Sequence, residues 1–463
     1  GGANHQKDQT TAQAGSVNGS QGIELNSGHN LTLQGTHITS ENDVALTATN
    51  KVDFQATESQ RTETGKNLSG GLQAGFGQKA GEESSSISGL GGAEFAIGKQ
   101  DEKTVSREGG TITNQGNLTV NGSSINLQGT KVNSKETQLT SQSGDTTLTS
   151  AQSTDYKNNW SVDIALNGEQ TNTTPKEVTE ENPTSSIHNI GGKVLVNVED
   201  QQKSTHQNTV IETGTLTVNS DKNLTLSGAN VSADNVTGHV GGDFTVTSQK
   251  DSDRHVSVDV NVGYNHNNDP ESSQVDKTAK AGGSLLENTI KETIDSGIKS
   301  ATDVISDKYN SLSSSIADKT GISGETKAKI DNGVNYVGNG IKNIVTGAEG
   351  HTANADIKVS HIDNDAVTET TTLTSKNDIS LNVSGTTKLT GAEVKSEQGQ
   401  IDLGGSNVQL NNIEGHHYEA GADLDLKSSA VDLVKQLSSG DLSLKSPIKV
   451  NETVNTKSSI SEK

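Results

Sequence analysis

One phrase is written several times in this chain, and its spacing restricts the fold more than any other feature. Residues 28–40 read GHNLTLQGTHITS, and residues 221–233 read DKNLTLSGANVSA. The glycine of the phrase recurs as Gly35 in LQGTHI, Gly129 in LQGTKV, Gly228 in LSGANV and Gly391 in LTGAEV. The intervals are 94, 99 and 163 residues, so the first two agree and the third carries an insertion. A finer period runs inside each unit. Ile23 to Val44, Leu31 to Val52, Leu118 to Leu139, Leu127 to Leu148 and Leu389 to Leu410 are all 21 residues apart. Leu224 to Phe244 is 20, and Leu381 to Leu403 is 22.

Each such turn holds about three short alternating segments, such as NLTL, THIT and DVALTA. Alternation sends Leu, Ile and Val to one face and Thr, Ser and Asn to the other. Three short strands per turn, each pairing with its equivalent one turn on at about 4.8 Å, is what a parallel β-helix needs. The expected fold is therefore all-β: a right-handed parallel β-helix with β-hairpin excursions and one inserted α-helical hairpin. Such a stack has a narrow core. That accounts for a chain of 463 residues that is only 28% hydrophobic, against about 45–50% for an ordinary globular domain. With 4 Pro and recurrent Thr, Val and Ile, the composition is not that of a disordered chain. Asn30, Asn117 and Asn223 are expected to precede the same strand in three units as turn residues, since Asn tolerates left-handed turns and hydrogen-bonds neighbouring backbone.

The expected organisation alternates. β-Helix blocks are expected at 1–60, 111–155, 209–253 and 367–417. Hairpin excursions are expected at 61–110, 156–208 and 254–366, with a C-terminal excursion at 418–463. Departing strands read GLQAGFG (71–77), WSVDIALNG (160–168) and HVSVDVNVGYN (255–265). Returning strands read GAEFAIGKQ (92–100), GKVLVNVEDQ (192–201) and ADIKVSHID (355–363). Isolated hairpins are marginal in water, so the excursions are expected to lie on one side and pair or pack together. Their length also suits membrane strands, but few aromatic residues flank them, which favours a soluble accessory sheet. Within the third excursion the period changes. Ile290, Ile294, Ile298, Ala301, Ile305, Tyr309, Leu312 and Ile316 lie on one helical face, as do Ile330, Val334, Val337, Ile341 and Ile344. This predicts a helical hairpin at about 284–346, either burying its own stripe or forming a module that binds a protein partner or a membrane.

A net charge of −22, with arginine only at Arg61, Arg107 and Arg254, argues against nucleic acid as a partner and against a polybasic patch for an anionic lipid surface. The absence of cysteine excludes disulfides and Fe–S clusters. No apolar run is long enough for a transmembrane helix, and the opening GGANHQKDQT lacks an apolar signal core, which reads as an internal piece of something longer.

No catalytic, cofactor-binding or metal-binding residues are assigned. The close acidic pairs Asp251/Asp253 and Asp363/Asp365 lack the glycine and distal glutamate of a calcium loop. The adjacent His416 and His417 would point to opposite faces of a strand. A β-helix polysaccharide lyase or hydrolase would need clustered carboxylates or a metal with a basic partner, and the three arginines are far apart in sequence. The expectation is a non-enzymatic chain.

The stretch GTLTVNSDKNLTLSGANVSADNVTGHVGGDFTVTSQKDSDRHVSVDVNVGY (214–264) resembles the haemagglutinin repeats of filamentous-haemagglutinin-type exoproteins. It is most similar to the second repeat region of contact-dependent growth inhibition toxin-delivery proteins. Weaker copies stand at 28–60, 117–155 and 376–417. The resemblance implies two-partner secretion through an outer-membrane export partner and a place on the bacterial cell surface. It also implies engagement of a target cell's outer membrane or surface receptor in support of toxin delivery, with an adhesin stalk as the alternative.

Overall fold

The computed structural model describes residues 2–180, 183–267, 351–429 and 448–463, and these residues are all-β, without a helix. The expected helical hairpin at about 284–346 lies outside the described residues.

Two kinds of sheet share the chain. The first is parallel and built from short strands. One coil runs from Ser16–Gly19 through Ile23–Ser27 to Leu31–Gln34, and the next from His37–Ser40 through Val44–Ala48 to Lys51–Gln55. Equivalent strands of successive coils pair in parallel: Val17 with Ile38, Ile23 with Val44, and Leu31 with Val52. The pattern continues to the C-terminal end, giving three faces. Lys131–Ser141, Thr209–Ser220 and Ala229–Val240 run through the corner between the first two faces, which joins those faces into one 14-stranded sheet. The third face is an 8-stranded sheet with one strand per coil. This stacking is consistent with the expected parallel β-helix.

The core is a set of ladders. On the first face Ile38, Ile112, Val132, Ile211, Val231, Leu373 and Val394 follow one another in register, all buried. On the third, Leu33, Phe54, Leu127, Leu148, Leu226, Val246 and Leu389 follow in register, all buried except the half-buried Leu33. Each buried aliphatic side chain contributes about 1.5–3 kcal/mol, and period-2 alternation delivers one or two of them per strand. A low apolar fraction is therefore sufficient.

Two expectations about the coils need correction. Leu118 pairs with Thr137, and it is Val120 that pairs with Leu139, so the local spacing on this face is 19 residues rather than 21. The coil makes up the difference later, since Leu127 does pair with Leu148. A slip of two leaves the inward-facing set unchanged, so polarity cannot reveal it. Asn117 also heads a second-face strand, Asn117–Gly122, whereas Asn30 and Asn223 precede the third-face strands Leu31–Gln34 and Leu224–Ser227.

No described residue other than glycine has a positive φ, so these asparagines are not left-handed turn residues. Asn30 and Asn223 act through their side chains across coils. Asn30 Oδ1 accepts hydrogen bonds from Asn50 Nδ2 at 2.7 Å and from the Lys51 N–H at 3.3 Å. Asn223 Oδ1 accepts the Asp243 N–H at 2.9 Å. Aspartates at other corners do the same: Asp43 accepts the Asn117 N–H, Asp145 that of Asn223, Asp243 that of Thr386 and Asp378 that of Gln400.

The second kind of sheet is antiparallel and built from long strands. The chain leaves the third face after every second coil. It departs into Thr57–Ala80, Ala151–Pro175, Asp251–Asn267 and Ile413–Ser429. It returns by Ser84–Glu108, Ser185–Gln207, His351–Ala366 and Ile448–Thr456. Each of the first three returning strands pairs with the departing strand of the next hairpin. Gly2–Thr10 adds to the first, which makes one nine-stranded sheet. We call it the wing. Its continuity follows from one length. Neighbouring strands lie about 4.8 Å apart in either kind of sheet, so two coils rise as far as one two-stranded hairpin is wide. One hairpin per two coils is the ratio that lets the wing run beside the coils without gap or overlap.

Candidate functional site

The repeated phrase builds the root from which the wing grows. Its four glycines have φ of +56° (Gly35), +57° (Gly129), +74° (Gly228) and +54° (Gly391). This is left-handed backbone, which a Cβ disfavours. Space demands glycine as well. A Cβ on Gly35 would stand 2.0 Å from Cγ2 of Thr57, one on Gly129 2.8 Å from Cβ of Ala151, and one on Gly391 2.7 Å from Ile413. Those three neighbours are the first residues of departing strands. On Gly228 the neighbour is Ser150, at 2.6 Å, just before a departure. Each glycine therefore turns one coil's corner and leaves room for the chain departing beside it.

Buried hydroxyls tie the same corner. Thr209 Oγ1 donates to the Thr149 carbonyl at 2.7 Å and accepts the Thr130 N–H at 3.1 Å. Thr371 Oγ1 donates to the Thr247 carbonyl at 2.8 Å and accepts the Gly228 N–H at 3.0 Å. Both threonines are fully buried, so each hydroxyl replaces water for backbone groups where the ladder is interrupted.

The wing has two unlike faces. Cross-strand register aligns Leu68, Ile97, Val162, Val196, Val260, Ile357 and Leu424 in one row. On the same face, nearer the tips, Gly70, Phe95 and Ile164 make another row, and Leu72, Ala93 and Leu166 a third. Neighbouring residues on the opposite face are polar: Asn67, Ser161, Asn197, Asp259 and Lys358 stand in register. The apolar face is buried at Val162 and Val196 but open toward the first hairpin's tip. There Leu72 is 89% exposed and Phe76 78%, with Leu68, Phe95 and Leu166 also exposed. The polar face carries two hollows. One, of about 590 Å³, is lined by Asn67, Ser161, Asn197 and Asp259, with Lys66, Lys99 and Trp160 also in its wall. The other, of about 320 Å³, is lined by Ser69, Glu94, Asp163 and Lys193.

The candidate polar residues lie at the wing's root and take structural partners. Asp251 Oδ1 accepts from His206 Nδ1 at 2.9 Å and from the His206 N–H at 2.8 Å, and its other oxygen takes the Thr368 hydroxyl. Asp253 accepts from Gln201 at 3.2 Å, and Asp365 pairs with Lys250 at 2.6 Å. Asp363 stands opposite Arg254. His416 and His417 are consecutive on one strand; His416 stacks on Tyr418, which meets His361 edge-on at 5.3 Å. Among the described residues no three His, Asp or Glu gather as metal ligands. The three arginines, far apart in sequence, are all on wing strands. Arg61 hydrogen-bonds Glu63 and holds that carboxyl below its ordinary range; Arg107 pairs with Glu58 at 2.7 Å.

The exposed side chains of Leu68, Leu72, Phe76 and Phe95 were not singled out by the sequence reading. The available signal was the one-sided alternation of 71–77 and 92–100 continued on both sides of those segments.

Stacked two-coil units that each throw one long hairpin into a common sheet define an all-β repeat architecture. The hemagglutinin-repeat family model matches residues 2–164 and 100–262, and the chain belongs to that family. A protein called hemolysin from Proteus mirabilis is 75% identical over all 463 residues, and one of the same name from Serratia marcescens is 34% identical over 94% of the chain. The chain spans 29% of the length of each of these relatives. No solved structure matches it. The family and these relatives make it part of a secreted or cell-surface exoprotein.

Proposed function

We propose that this chain is a non-enzymatic repeat segment that engages the outer membrane of a target cell through its wing. In this reading the coils form a right-handed parallel β-helical rod, and the full-length protein leaves the producing cell through an outer-membrane export partner. The observation that carries the reading is the exposed apolar surface of Leu68, Leu72, Phe76, Phe95 and Leu166 on one face of the wing. Contiguous exposed apolar surface marks a protein or membrane contact. Long antiparallel strands with one apolar and one polar face have the pattern of membrane strands. The name hemolysin carried by both relatives points the same way, toward action on a membrane. Support of toxin delivery in contact-dependent inhibition would use the same surface and rests on the repeat resemblance. An adhesin stalk would use the coils and leave the exposed leucines and phenylalanines without a role.

Vesicle flotation with limited proteolysis tests this. The wing strands are expected to become protease-protected on outer-membrane vesicles, and Leu72→Asp/Phe76→Asp is expected to reduce vesicle association at least tenfold. Equal cleavage with and without vesicles, or unchanged association of the double variant, would sink the reading.

A further inference from the structure

On the first hairpin and the departing strand of the second, the apolar face of the wing ends at one row; from the next strand on, the same row continues with Val198, Val258 and Val359. Lys66, Lys99 and Trp160 stand in one cross-strand row. Tipward of this row the face is apolar, beginning with Leu68, Ile97 and Val162. Rootward it turns polar, beginning with Thr64, Asp101 and Asn158. The Lys99 ammonium points rootward, reaching Asp101 at 3.6 Å. Four residues nearer the coils, Lys103, Tyr156, Arg254 and Tyr418 fall into another row of the same face. Trp160 is the only tryptophan of the chain.

Tryptophan and tyrosine collect at the level of lipid headgroups, where the ring meets apolar chains and the N–H or O–H meets water or phosphate. Lysine and arginine at such an edge lay their stems along apolar surface and keep the charge among the headgroups. The apolar stretch beyond the row has the matching length. Trp160 to Gly168 is nine residues, and a transmembrane strand takes about 9–11. The polar face, with both hollows, would remain the hydrated side.

We propose that the Lys66–Lys99–Trp160 row is a depth mark: the wing enters a bilayer carrying anionic phospholipid headgroups tip first, as far as this row, with the coils left outside. This rests on the membrane reading above and adds to it an orientation, a depth and a headgroup charge. A second copy of the chain, apolar face to apolar face, is the competing occupant. It gives no reason for two lysines and a tryptophan to line up on three neighbouring strands.

The unaltered chain can report on itself, because Trp160 is its sole indole. Its fluorescence would be followed on vesicles of phosphatidylcholine with phosphatidylglycerol, brominated either near the headgroup or near the chain end. The expected result is stronger quenching of Trp160 by the shallow bromine. In Trp160→Phe/Leu72→Trp, the reporter would instead be quenched more by the deep bromine. Lys66→Gln/Lys99→Gln is expected to bind these vesicles about 30-fold more weakly, with no change on pure phosphatidylcholine. Equal shallow quenching of both reporters would mean a wing lying flat and would overturn the depth mark while membrane engagement stands. A Trp160 blue shift that grows with protein concentration without lipid would assign the face to a second copy and overturn the proposal. Failure of the unaltered chain to associate with any vesicle would overturn the membrane reading itself.

Discussion

Single residues matter most where the coil and the wing separate. Gly35→Ala places a Cβ on left-handed backbone, worth about 1–2 kcal/mol, and drives it against the Thr57 methyl group. Gly28→Ala meets nothing within 4 Å and serves as control. The urea midpoint of the first should fall and that of the second should not. Thr209→Val removes a buried hydroxyl that both donates and accepts, and should cost about 1–3 kcal/mol by the same measure. Asp53 ties folding to pH. Burial opposes its charge, yet hydrogen bonds from Asn126, Gln55 and Lys51 outweigh burial and hold its carboxyl below the ordinary range. A lowered folded-state pKa contributes stability above the unfolded value of about 3.9, and that contribution is lost as pH falls through the folded value. Asp53→Asn should therefore lower stability at pH 6 and flatten the loss of stability between pH 5 and pH 3, followed by denaturant unfolding.

Among elements, the two-coil spacing of hairpins is the controlling relation. Deleting residues 109–207 removes two coils together with one hairpin. It should leave a folded chain, since strand Ser84–Glu108 could then pair with Asp251–Asn267 as Ser185–Gln207 now does. Deleting only 130–150 removes one coil and leaves adjacent hairpins too close by one strand width, so protease protection of the wing should be lost. The marker glycines, the 21-residue period on the third face and the long alternating runs were all legible in the sequence, because each is a local pattern with a fixed period. The Leu118 register was not, because a two-residue slip preserves polarity. The role of the glycines was also hidden. Their partners, Thr57, Ala151 and Ile413, lie some twenty residues on and meet them only once coils are stacked.

At the scale of the whole molecule, the scarcity of aromatic residues argued against a membrane role, and placement changes its meaning. Phe54 and Phe244 are spent in the coil core. Phe76 and Phe95 lie on the wing's apolar face, and Tyr156, Trp160 and Tyr418 lie at or rootward of its edge. Composition counts such residues; only the pairing of strands from different hairpins gathers them. The equality of coil rise and strand width has a further consequence, one of heredity. A duplication or loss that spans two coils and their hairpin returns every remaining strand to an equivalent neighbour. The length of both the stacked coils and the wing can therefore change by recombination in whole steps of about 9.6 Å, and the intermediate lengths, which break the wing, are closed to selection.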